Sequence, residues 1–228
     1  MKTNDWYRRK TWTQDDQTEF FSRFRRARNH NKAQYLLVQA SCLMDTGVKT
    51  NLQAALELLN LLIKEYPHPV QLENAYCQKA LCLESLNLMD DAVNSYRLAF
   101  QSRRATPNVH TYAPLYFGMF VVRHNRTDLY DEVQERFNEF INNNEIIFPD
   151  AKYMYFATSA IIANAYGQLE IAQKCAESAL LVASMNYSGF VRHPNVGLVK
   201  NRDKTIEKRL RKILKPSILS RLINGVRS

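Results

Sequence analysis

The side chains that most often carry chemistry are scattered along this chain. His30 sits in a basic turn, His68 lies between Pro67 and Pro69, and His110 and His124 flank an apolar segment. Only His193, in Arg192-His193-Pro194 with Lys200 nearby, looks poised for a role, and the simpler expectation there is a loop hydrogen-bonded to the helices before it. Cys42, Cys77, Cys82 and Cys175 form no C-x-x-C pair, and each falls inside an apolar helical pattern. Such thiols are expected as reduced core residues and not as metal ligands or disulfides. Asp90-Asp91 and Asp131-Glu132 stand where helices should begin, where carboxylates complement the helix N-terminus. The sequence has no G-x-S-x-G, P-loop, G-x-G-x-x-G, H-E-x-x-H or zinc-like Cys/His spacing. The expectation is a protein with no catalytic residue, no cofactor and no metal: not an enzyme.

Binding by charge is a second kind of chemistry, and here the chain is asymmetric. Its formal net charge is +9. Residues 1–32 hold nine Lys/Arg against four Asp/Glu, residues 200–228 hold ten against two, and the stretch between holds twelve against sixteen. The basic ends could meet an anionic partner, including nucleic acid. The candidate anion-binding residues are Arg8, Arg9, Arg25 and Arg26 near one end, and Lys208, Arg211 and Lys212 near the other. The first four flank or belong to a helix expected from about Gln14, with Thr13 as N-cap, Asp16 three residues on, and Phe20, Phe21, Phe24 and Ala27 as its apolar face. The last three lie opposite Ile206, Leu210, Ile213 and Leu214 on a basic amphipathic helix. A further apolar set, Ile218, Leu219, Leu222 and Ile223, follows Pro216.

Most of the chain must be helix. Hydrophobic residues make up 46% and there are only six Gly, so a substantial core is available without the punctuation of a β protein. No secretory signal follows Met1, and the charge-free stretches Ala105–Val122 and Tyr153–Leu169 carry polar residues that fit buried helices better than a membrane span. A soluble, cytoplasmic protein is expected.

Internal repetition then appears. Tyr76, Ala80 and Leu83 share one helical face, followed after a polar turn by Ala92, Tyr96, Ala99 and Phe100. Phe156, Ala160 and Ala163, then Ala172, Ala176, Ala179 and Leu180, repeat the spacing, with twelve positions between Ala80 and Ala92 and between Ala160 and Ala172. A first unit has Leu36, Ala40 and Leu43, then Ala55, Leu59 and Leu62 with Pro67 beyond. A third has Phe117, Gly118 and Val121, then Val133, Phe137 and Phe140 with Pro149 beyond. Aligning Ala40, Ala80, Gly118 and Ala160 gives steps of 40, 38 and 42 residues.

The small residue in a first helix, the alanine opening a second, the aromatic four residues on and the late proline resemble the tetratricopeptide repeat over about residues 33–182, although that family's usual period is 34. Small residues let paired helices approach, and aromatics fill the space opposite. The resemblance implies an all-α, right-handed α-solenoid of about four antiparallel helix pairs with N- and C-terminal capping helices. The expected divisions are a basic segment and capping helix over 1–32, repeats over 33–182, and a closing loop with basic helices over 183–228.

First helices of such pairs line an inner face. The positions assigned to it include Tyr112, Leu115, Met119, Arg123, Met154, Ile161 and Asn164, an apolar set for a solvated groove. Either a partner's peptide or helix lies there, or the chain's own C-terminal helix does. The expected function is a non-catalytic protein-interaction module (adaptor, chaperone or inhibitor), of which an immunity-type protein that blocks a toxin or effector is one version. The alternative is a nucleic-acid-associated protein that uses the basic ends.

Overall fold

The computed structural model describes residues 5–103, 111–143, 146–200 and 202–215, and every regular element among them is helical. In order these are α1 (Gln14–Arg26), α2 (Asn29–Met44), α3 (Lys49–Glu65), α4 (Pro69–Ser85), α5 (Met89–Arg103), α6 (Ala113–Arg123), a 3-10 turn (Thr127–Leu129), α7 (Tyr130–Asn143), α8 (Pro149–Ala165), α9 (Leu169–Ala183) and α10 (Lys204–Ile213). They fall into two compact units, Met1–Ala113 and Pro114–Ser228. The segment 216–228, with the apolar set after Pro216, lies outside the described residues, as do 104–110.

Each unit carries two helical hairpins: α2–α3 and α4–α5 in the first, α6–α7 and α8–α9 in the second. Their register follows one rule. The small residue of the first helix is buried in every hairpin, at Ala40, Ala80, Gly118 and Ala160. Seven positions later, at Gly47, Asn87, Asn125 and Gly167, the backbone turns left-handed, with φ of 65°, 63°, 52° and 74°. Gly and Asn reach that conformation at least cost, which makes them helix terminators. In three hairpins the residue after it donates its N–H back to the last turn: Leu88 to Leu83 (2.9 Å), Arg126 to Val121 (3.0 Å) and Gln168 to Ala163 (2.9 Å). In the Gly47 turn the Thr46 hydroxyl instead accepts from Val48 N–H (3.3 Å). The positions opening the second helices, Ala55, Ala92, Val133 and Ala172, have no exposed surface.

In the first unit α1 is opened by a capping box: Thr13 Oγ1 accepts from Asp16 N–H (3.2 Å) and the Asp16 carboxylate accepts from Thr13 N–H (2.9 Å). Its Phe20 and Phe24 are buried with Leu36, Leu43, Leu59 and Leu62, while Trp6, Tyr7 and Trp12 pack on that core from outside. The segment before α1 is tied down by side chains of two helices, with Asn51 of α3 donating to the Lys10 carbonyl (3.0 Å). Gln39, buried on α2, accepts from Arg9 N–H (3.0 Å) and donates to the Arg9 carbonyl (2.8 Å).

In the second unit Gly118 sits where α6, α7 and α8 meet: a Cβ there would lie 2.6 Å from the Phe137 ring and 3.0 Å from the Thr158 methyl. The loop after α9 folds back on the start of α8. Asp150 N–H donates to the Gly197 carbonyl (2.6 Å), and Phe148 meets Phe190 with ring centroids 5.5 Å apart.

Candidate functional site

The groove positions divide by exposure. Leu115, Met119 and Ile161 are buried, with at most 5% of their surface exposed, so they pack within the chain and do not face solvent. Tyr112 and Met154 are half-buried, and Arg123 and Asn164 are exposed. In the second unit α10 packs against α8 and α9 and buries Ile206 and Leu210 completely. Polar contacts at both of its ends fix it. Asp203 caps it by accepting from Thr205 N–H (2.9 Å) and Ile206 N–H (3.2 Å), and also accepts from the Arg123 guanidinium (3.2 Å). Burial alone would raise the Asp203 pKa; these donors overcome it and hold the carboxyl below its ordinary value. The Arg202 guanidinium donates to the Ala183 carbonyl at the end of α9, and that of Arg209 to the Val122 carbonyl of α6. The amphipathic helix read from the sequence is therefore a packed element of this unit, with its basic side outward.

The candidate anion-binding residues also divide. Arg9 is engaged internally, paired with Asp16 and Glu19. Burial pushes the Asp16 pKa up, but hydrogen bonds from Thr13, Thr11 and Arg9 more than reverse this and bring it down to about 2. Arg8 is exposed with its guanidinium 5.4 Å from the Tyr7 ring centroid. Arg25 is exposed, and Arg26 is exposed but hydrogen-bonded to Ser22. On α10, Lys208 and Lys212 are exposed and Arg211 pairs with Glu207.

The reactive side chains are arranged for packing. Burial raises all four thiol pKa values, to about 12 for Cys77 and about 11 for Cys82, so the nucleophilic thiolate is scarce at neutral pH. The His193 carbonyl accepts from the Ser188 hydroxyl (2.9 Å) inside the loop that docks on α8. Glu73 is a buried carboxyl, 1% exposed, that accepts from the Thr111 hydroxyl (2.7 Å). Among the described residues no three His, Cys, Asp or Glu side chains gather as a metal site, and no helix is long and apolar enough to cross a membrane.

The feature missed by the sequence reading lies on the last hairpin. Among the described residues sixteen large apolar side chains are exposed, and nine of them fall between Tyr166 and Val196. Leu169, Ile171 and Leu181 on α9 are 58%, 52% and 69% exposed, and Val191 in the following loop is 87% exposed. A helical wheel of α9 carries part of the signal, because Ile171 and Leu181 lie off the face defined by Ala172, Ala176 and Ala179, while Leu169 is exposed at the first position of the helix.

Comparison with protein-family models, curated proteins and solved structures finds no match to this chain.

Proposed function

We propose that this chain is a non-catalytic protein-interaction module of the tetratricopeptide kind, which holds a partner protein as an adaptor, chaperone or inhibitor. The observation that carries this reading is the concentration of exposed apolar side chains on α9 and the loop after it. Exposed apolar surface gathered in one part of a protein marks a place where another surface can dock. The surface most exposed to a partner is thus Leu169, Ile171, Leu181 and Val191, with Arg123, Met154 and Asn164 as the accessible part of the first-helix face of the same unit. Free thiols fit a reducing, cytoplasmic setting. An inhibitor of the immunity type is one version, since blocking an effector needs surface and no chemistry.

The test is affinity purification of the tagged chain from its native host with mass spectrometry, beside the variant Leu181→Glu/Val191→Glu. The expected result is a protein recovered with the native chain and lost with the variant at unchanged helical content. Recovery of the same proteins by both would refute the surface, and nucleic acid as the only co-purifying species would refute the function.

A further inference from the structure

We infer that the cleft between α7, α8 and α9 is an anchor pocket for one aromatic or branched apolar side chain of an uncharged peptide segment, with the carboxamides of Gln134, Asn138 and Gln168 holding the peptide backbone. This rests on the protein-binding reading above and gives it a site.

The cleft has a volume of about 300 Å³. Its floor is apolar and buried: Val133 and Phe137 from α7, Ile162 and Ala163 from α8. Half-buried Tyr155, Ser159 and Cys175 form the walls, and Tyr155 lies with its ring centroid 5.1 Å from that of Phe137. Gln134, Asn138, Gln168 and Ile171 are exposed and form the rim.

Three properties select the ligand. The first is charge: no lining residue is charged. An ionic group entering the cleft would lose water and gain no counter-charge, which excludes dedicated anion or cation sites. The wall groups are themselves neutral, because burial raises the pKa of both the Cys175 thiol and the Tyr155 phenol, the latter against a smaller opposing pull from the Ser159 hydroxyl. The second is size. Pockets that enclose a drug-sized ligand run from about 300 to 1,000 Å³, so this one suits a single large side chain better than a free metabolite. The third is the rim. A carboxamide offers both a donor and an acceptor, the complement of a peptide unit. Gln134 and Asn138 are four residues apart and share one face of α7, while Gln168 immediately precedes α9. Backbone laid across the opening therefore meets amides from two elements while its side chain enters the floor.

The experiment selects peptides from a random displayed library on the full chain and measures the selected peptides by fluorescence anisotropy. The chain is compared with Ser159→Trp, which fills the cleft, and with Gln134→Ala/Asn138→Ala, which alters only exposed rim positions. Circular dichroism and melting temperature establish that each variant is folded. The selected peptides should share one aromatic or branched apolar residue among uncharged neighbours. Binding should weaken roughly tenfold or more with Ser159→Trp and about fivefold with the rim variant, in line with loss of an anchor and of one or two hydrogen bonds. N-acetyl-phenylalanine methylamide should compete, and benzyl alcohol should not. Equal competition by benzyl alcohol would make the cleft a small-aromatic site and overturn the peptide assignment. Peptides of charged consensus, or peptides that bind both variants as well as the native chain, would overturn the cleft while leaving the protein-binding reading standing. If Leu181→Glu/Val191→Glu also retains every partner, that reading falls by its own test.

Discussion

Glu73 is a carboxyl on α4 with 1% of its surface exposed, and it shows what burial does to an ionisable group that is only partly compensated. Burial pushes its pKa up; the Thr111 hydroxyl and the charge of Arg103 pull the other way without cancelling the effect. Because the folded-state pKa is raised, the folded state holds the proton more tightly than the unfolded chain. The stabilisation this gives is complete below the unfolded pKa of about 4.3 and is lost as pH rises through the folded value. Glu73→Gln should therefore melt at a higher temperature than the native chain at pH 8, and the advantage should shrink to nothing near pH 4. Thermal melts across that range check it, and an advantage independent of pH would show that titration is not the cause. The sequence gives no hint of this group. Its spacing puts Glu73 on a helix, but burial depends on Thr111, thirty-eight residues away. Cys77 and Cys82 were legible for the opposite reason, since a thiol inside an apolar helical pattern is ordinarily core, whereas Cys42 and Cys175 on the same kind of pattern are only half-buried.

At the scale of the element, the hairpins were legible because two local signals coincide. Small residues at Ala40, Ala80, Gly118 and Ala160 set the helix approach, and the Gly or Asn seven positions later ends the helix in a left-handed turn. Gly118, the one glycine among these four small residues, gives the sharpest test. Ala is the better helix former by about 1 kcal/mol, so propensity alone predicts that Gly118→Ala stabilises the chain. A Cβ 2.6 Å from the Phe137 ring predicts the reverse, because overpacking costs about 1–3 kcal/mol. Urea denaturation should show a net loss of stability, and a gain would mean the α6–α7 approach is looser than described. Less legible was the tie between Arg9 and Gln39, since a two-way hydrogen bond between a loop backbone and a helix side chain thirty residues on leaves no periodic trace.

The candidate site is where sequence and structure part most, and the reason is one of scale. Periodicity identifies the side of a helix that is apolar, but it does not say which neighbour covers it. Leu115, Met119 and Ile161 satisfy the pattern of a groove and are buried, whereas Ile171 and Leu181 break the pattern of α9 and are exposed. In the second unit α10 supplies part of the cover, so it belongs to the folded body. Two fully buried aliphatic side chains, Ile206 and Leu210, contribute about 1.5–3 kcal/mol each, a large share of the stability of an ordinary domain. Truncation after Lys200 should lower the melting temperature and promote aggregation. A truncated chain that melts like the native one and binds its partner more tightly would instead make α10 a lid.

Photo-crosslinking in the native host tests most directly whether a partner protein sits on the outward side of the last hairpin. A benzophenone side chain is introduced singly at Ile171, Leu181 and Val191, and at the exposed polar positions Gln53 and Glu57 as controls. One adduct of constant added mass is expected at the apolar positions and none at the controls. No adduct at the apolar positions, or the same adducts at all five, would contradict that placement.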